Sequence, residues 1–144
     1  MLKAKVIRKK PGAFKNHAEA VLKAVQREIA LGGAAVRNTA VKSIQESPRG
    51  GESYVRYNPK RTGKASAAGE PPATDTGFLV SNISLEISPD RLSAEIISKA
   101  PYSAALEFGT SKMGARPFMQ PALEENRHKI KAKVRASIKR AKGR

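Results

Sequence analysis

The sequence predicts an α+β fold: a long N-terminal helix and a C-terminal helix packed on a small antiparallel sheet containing a β-hairpin, with a long flexible loop between the first helix and the sheet. Three observations predict it. Apolar residues recur at steps of three and four from Ala13 to about Glu46. They fall at alternate positions between Ile83 and Ile96, and they return to helical spacing from Pro121 to about Ala141. At 144 residues a single domain is expected, spanning 13–135, with room for a modest core. Residues 1–12 read as a basic N-terminal segment and 136–144 as a basic C-terminal tail that frays past Ile138.

Leu2, Ala4 and Val6 alternate with Lys3 and Lys5, the pattern of a short edge strand whose lysines discourage edge-to-edge pairing. Pro11-Gly12 then breaks the chain. In the first helix Phe14, Ala18, Val21, Leu22, Val25, Ile29, Val36, Ala40 and Ile44 share a stripe, leaving Lys15, Glu19, Lys23 and Arg27 outward. Gly32-Gly33 interrupts it, at about 1 kcal/mol per glycine relative to alanine. Either another backbone approaches closely there, or the helix kinks or splits. The helix must stop before Pro48, because proline pushes Ser47 out of the α region.

Residues 47–76, rich in Gly, Pro, Ser and Lys, lack the apolar content for a core and read as a loop or arm. Tyr54 to Tyr57 suits a brief strand. Tyr54 and Tyr57 among Arg56, Lys60 and Arg61 have the aromatic-plus-basic composition of single-strand nucleic-acid binders, but two tyrosines support that thinly. The preferred reading is an arm that orders against a neighbouring subunit, with those five residues as its candidate contacts and Glu107 and Arg116 of the later loop as two more.

Asp75-Thr76-Gly77 is placed to cap a short turn through Phe78 and Leu79. Ile83, Leu85 and Ile87 alternate with Ser84 and Glu86. After a Pro89-Asp90-Arg91 turn, Leu92, Ala94 and Ile96 alternate with Ser93 and Glu95. This is a hairpin with one buried and one wet face. Ser103–Phe108 supplies a short helix, ended by Gly109 as a left-handed C′ residue. A basic loop leads to Pro121 in the first turn of the last helix. There Leu123, Ile130, Val134 and Ile138 form a narrow stripe. Glu124 and Glu125 are expected in the first turn and Arg135, Lys139 and Arg140 towards the end, complementing the helix dipole. Phe108, Phe118 and Met119 are expected to pack where sheet and helix meet.

The net charge of +16 is unevenly distributed. Residues 1–15 carry six Lys/Arg and 127–144 carry nine, with no acid in either, so the residues between are nearly neutral at +1. Basic ends suit contacts with phosphate or acidic protein surfaces. The chain has no cysteine, which excludes disulfides, thiolate metal sites and Cys nucleophiles. No apolar run approaches the roughly 20 residues of a membrane span, and the N-terminus lacks a signal-peptide core. His17 and His128 have no metal-ligand partner at a suitable spacing. No phosphate-binding loop or nucleophile elbow is present, and Gly109-Thr110-Ser111-Lys112 lacks the preceding glycine spacing and strand of one. No enzyme activity and no cofactor are expected. Glu107, beside Lys112 and Arg116, is expected to form an ion pair that pins the loop.

Two segments carry a resemblance: G-E-P-P-A-T-D-T-G-F-L-V-S-N-I (Gly69 to Ile83) and P-Y-S-A-A-L-E-F-G-T-S-K-M-G-A-R-P-F-M-Q-P-A-L (Pro101 to Leu123). With the hairpin between them, the chain resembles the tail-completion (minor tail, neck-type) proteins of long-tailed bacteriophages and prophages over about residues 13–135. The matching positions are Asp75, Gly77, Leu79, Tyr102, Glu107, Phe108, Gly109, Arg116, Pro117, Phe118 and Pro121. Phe78 stands where a basic residue is common, and Ser103 where alanine is common. The resemblance implies a virion component of the head–tail junction or tail-tube end, made in the bacterial host cytoplasm. It implies ring-type homo-oligomers that contact other neck, connector or tail-tube proteins. Non-specific DNA contact by the basic termini is a further expectation, from charge. The alternative is a basic nucleic-acid-binding protein without catalytic activity.

Overall fold

One helix, Ala13–Gln45 (α1), is the longest element of the fold, about 50 Å at the usual rise per residue. The computed structural model describes residues 12–143, so the expected edge strand at Met1–Arg8 lies outside the described residues. After α1 come two strands, Ser53–Tyr57 (β1) and Lys60–Lys64 (β2), then a short helix, Phe78–Ser81 (α2). Two further strands follow, Ile83–Ile87 (β3) and Ala94–Ser98 (β4), then helices Ser103–Phe108 (α3) and Met119–Lys142 (α4). The α+β class holds, with β1–β2 and β3–β4 forming separate two-stranded antiparallel sheets. The hairpin β1–β2 was not expected. Lys60–Lys64 has no apolar alternation, and its turn is built on a cis Asn58–Pro59 peptide.

α1 passes Gly32-Gly33 without a break. A Cβ on Gly32 would lie 3.0 Å from Ile130 of α4, and one on Gly33 would lie 2.8 Å from both Ala94 and Leu85. Close approach is therefore the reason for the glycines, and what approaches is side chains on two sides. α4 packs along α1, and α1 in turn lies on β3–β4. The core is Val36, Ala40 and Ile44 of α1 against Leu79, Ile83, Ala100, Phe118 and Ala122. Each large side chain among them contributes roughly 1.5–3 kcal/mol by leaving water. Leu22 and Ala18, expected in the stripe, are exposed. Arg37 Nε donates to the Ile83 carbonyl at 2.8 Å, fixing where β3 leaves α1.

β3 and β4 pair as expected, with Leu85 opposite Ile96 and Ile87 opposite Ala94. Burial fades towards the tip, where Ile87 and Leu92 are exposed. α4 begins two residues before Pro121, so Glu124 and Glu125 fall beyond its first turn and instead bridge to Arg127 (3.7 Å) and Lys129 (3.7 Å). The helix continues to Lys142, past Ile138 where the basic tail was expected to fray.

Candidate functional site

The segments Gly69–Leu79 and Tyr102–Pro121 are far apart in sequence but adjacent in space. Between them and the β1–β2 hairpin lies a cleft of about 490 Å³. Tyr54, Phe78 and Tyr102 give it aromatic walls, and Arg56, Lys64 and Arg116 outnumber its one acid, Asp75. A smaller hollow of about 200 Å³ again joins the two segments, through Gly69 and Pro71 on one side and Pro117 and Pro121 on the other.

Each wall has a local cause. Tyr54 lies over Gly63, its cross-strand partner, where any Cβ would be 2.6 Å from the tyrosine hydroxyl oxygen. The Arg56 guanidinium stands 5.9 Å from the Tyr54 ring centroid and bridges to Asp75 at 2.8 Å. Asp75 therefore ties the hairpin to the body and does not cap α2. Gly77 occupies the cap position with φ 77°, and the nearest side-chain acceptor is Thr76 Oγ1, 3.4 Å from the Phe78 N–H. Phe78 and Tyr102 meet at a tilt with centroids 6.2 Å apart.

Glu107 makes no ion pair among the described residues. Its carboxylate accepts the N–H groups of Phe118 (2.9 Å), Met119 (3.0 Å) and Gln120 (2.8 Å). Those are the free amides at the start of α4, and the next residue, Pro121, has none. The glutamate supplies both the capping acceptor and the negative charge that a helix N-terminus favours. It comes from a different helix, more than ten residues upstream, which is why spacing rules did not find it.

Arg116 is left without that partner. Its backbone N–H donates to the Leu106 carbonyl at 2.7 Å, and Nη1 approaches Met113 Sδ at 3.3 Å. Its Nε is buried with no hydrogen-bond partner. Gly109 has φ 75° and ψ 179°, an extended conformation open to glycine, in place of the expected left-handed cap. Phe118 is buried at 1% exposure, as expected, and Leu79 is buried too. Phe108 is not packed at all, at 77% exposure, because α3 buries no residue and ends at the surface. Tyr57 is 80% exposed, and Lys60 and Arg61 beside it are exposed as well.

No family model matches the chain, and neither a curated protein nor a solved structure matches it. Among the described residues no group of three His, Asp or Glu side chains is placed to hold a metal ion, and no described helix is long and apolar enough to cross a membrane.

Glu70 was missed by the sequence reading. Its Oε2 accepts the N–H groups of Gly50 (2.8 Å) and Ala67 (2.8 Å), clasping the two roots of the β1–β2 hairpin. The backbone N–H of Ala67, then that of Gly50, holds its carboxyl below the ordinary value of 4.5, with the charges of Lys64 and Arg116 adding to the effect. A depressed folded-state value means the clasp contributes its stability above the unfolded value and loses it as pH falls through the folded one. Unfolding measured at pH 6 and pH 3 is therefore expected to show a smaller acid loss for Glu70→Gln than for the wild type. Equal losses would show that the clasp is not linked to protonation.

Proposed function

We propose that the chain is a structural subunit of a long-tailed phage or prophage particle, acting at the head–tail junction or the end of the tail tube through subunit contacts and without catalysis. The observation that carries this is where its aromatic side chains stand. Of six whose surroundings are described, Tyr57, Phe78, Tyr102 and Phe108 are exposed and only Phe118 is buried. Large apolar side chains gathered at a surface mark interaction sites. Here two of them line the cleft where the two signature segments meet. The β1–β2 hairpin agrees with this, since an isolated two-stranded hairpin is marginal in water and this one has little of its surface covered.

The test is removal of the coding sequence from the phage or prophage that carries it. Heads and tails are expected to accumulate unjoined, and normal particles would overturn the proposal. A second reading, contact with DNA phosphates, is favoured by α4. From Arg127 to Lys142 it carries eight Lys/Arg, all exposed, and no acid. That contact would weaken by about 0.9 log unit per neutralised phosphate for each tenfold rise in salt.

A further inference from the structure

A chain carrying +16 repels copies of itself, so any contact between copies must bring its few acids to basic surfaces. Most acids are already engaged within the chain. Glu70 and Glu107 hold backbone amides, Asp75 holds Arg56, and Glu46, Glu124 and Glu125 bridge to basic neighbours on their own helices. Asp90 is taken up by its own turn, accepting from Ser88 Oγ and the Leu92 N–H. α1, α4 and the first hairpin are net positive. Residues 83–98, the second hairpin, are net negative, with Glu86, Asp90 and Glu95 against Arg91.

The two hairpins also carry mirrored faults. In β1–β2, Arg56 stands directly opposite Arg61, and in β3–β4, Glu86 stands directly opposite Glu95. Like charges placed opposite each other weaken a hairpin. One member of each pair is relieved inside the chain, Arg56 by Asp75 at 2.8 Å and Glu86 by Lys99 at 3.2 Å. Arg61 and Glu95 remain, both exposed and without an ion-pair partner among the described residues. Tyr57 and Lys60 next to Arg61 are exposed too, so the distal half of the first hairpin presents an aromatic ring and two cations.

We propose that, resting on the assembly role above, the distal half of the β1–β2 hairpin of one copy seats on the Glu86–Glu95 face of the β3–β4 hairpin of the next, with Arg61 against Glu95. Each copy offers one basic and one acidic hairpin, so the contact is head-to-tail. Contacts of that kind generate rings when the rotation closes.

Charge reversal on the full chain, read by sedimentation velocity at physiological ionic strength, tests this. Arg61→Glu and Glu95→Lys are each expected to weaken self-association by at least about tenfold. An equimolar mixture of the two should regain it, as should the double variant, because both restore opposite charges at the contact. Neutral variants, Arg61→Gln and Glu95→Gln, remove a like-charge clash within the chain. They should fold at least as stably as the wild type yet associate more weakly. Single reversals that associate like the wild type would overturn this contact and leave the assembly role standing. Single reversals that dissociate but are not rescued in the mixture or the double variant would overturn the pairing of these two hairpins. A wild-type chain that stays monomeric would remove both.

Discussion

A Gly109→Ala protein is expected to lose about 3–5 kcal/mol of stability, the sum of backbone strain and overpacking. With φ 75° and ψ 179°, this residue occupies a region essentially closed to side chains. A Cβ there would also lie 2.9 Å from both the Ala115 nitrogen and the Met113 oxygen. Both are backbone atoms and cannot rotate away. They belong to the loop that folds back over α3, where Thr110 and Met113 exchange hydrogen bonds and Arg116 donates to Leu106. Relieving the clash means opening that loop and moving Arg116 out of the cleft wall. Urea unfolding measures the effect as a lower midpoint at unchanged slope. A loss below about 1 kcal/mol would mean the loop shifts at little cost.

The second large effect is expected at Glu107. Alanine there leaves three amides at the start of α4 without their acceptor and removes a favourable charge from the helix end, a loss of about 2–4 kcal/mol. Glutamine keeps one acceptor oxygen and no charge, so Glu107→Gln should fall between alanine and the wild type. Circular dichroism with urea unfolding would order the three proteins. An alanine variant as stable as the wild type would show that water replaces the carboxylate at no cost.

Where local chemistry decided the structure, the sequence was readable. Ser103–Phe108 begins and ends where predicted, because a glycine follows it. The pairing of Leu85 with Ile96 follows from alternation on either side of a proline-containing turn. β2 was not readable, since Lys60–Lys64 offers no apolar period and its pairing depends on β1 and on the Glu70 clasp. Asn58-Pro59 was an available turn signal in a stretch read as loop. The cleft is likewise tertiary. Asp75 looked like a cap and Glu107 like an ion-pair partner, because their real partners, Arg56 and the α4 amides, are distant in sequence. Phe108 misled for the opposite reason: an aromatic in an apolar-rich segment suggests burial, while the structure leaves it at the surface.

The polar contacts between α1 and α4 have a consequence for alignment. Asn126 donates to Thr39 Oγ1 at 2.9 Å and Ser137 to Glu28 Oε1 at 2.8 Å. Both pairs join antiparallel helices, and on each helix the two positions lie about three turns apart, on one stripe. The seam around them also seats Ile130 against Gly32, where a Cβ would lie 3.0 Å away, so a slide of one turn would bring Ile130 against a residue that carries a Cβ. The polar pairs oppose it as well, since a slide takes Thr39 from buried Asn126, which keeps only its own-helix bond to the Ala122 carbonyl, and strands buried Ser137 at roughly 1–3 kcal/mol. They act as two teeth of a ratchet. Through them the row of cations on α4 is held at one fixed height along α1, and so relative to the β3–β4 hairpin on which α1 lies.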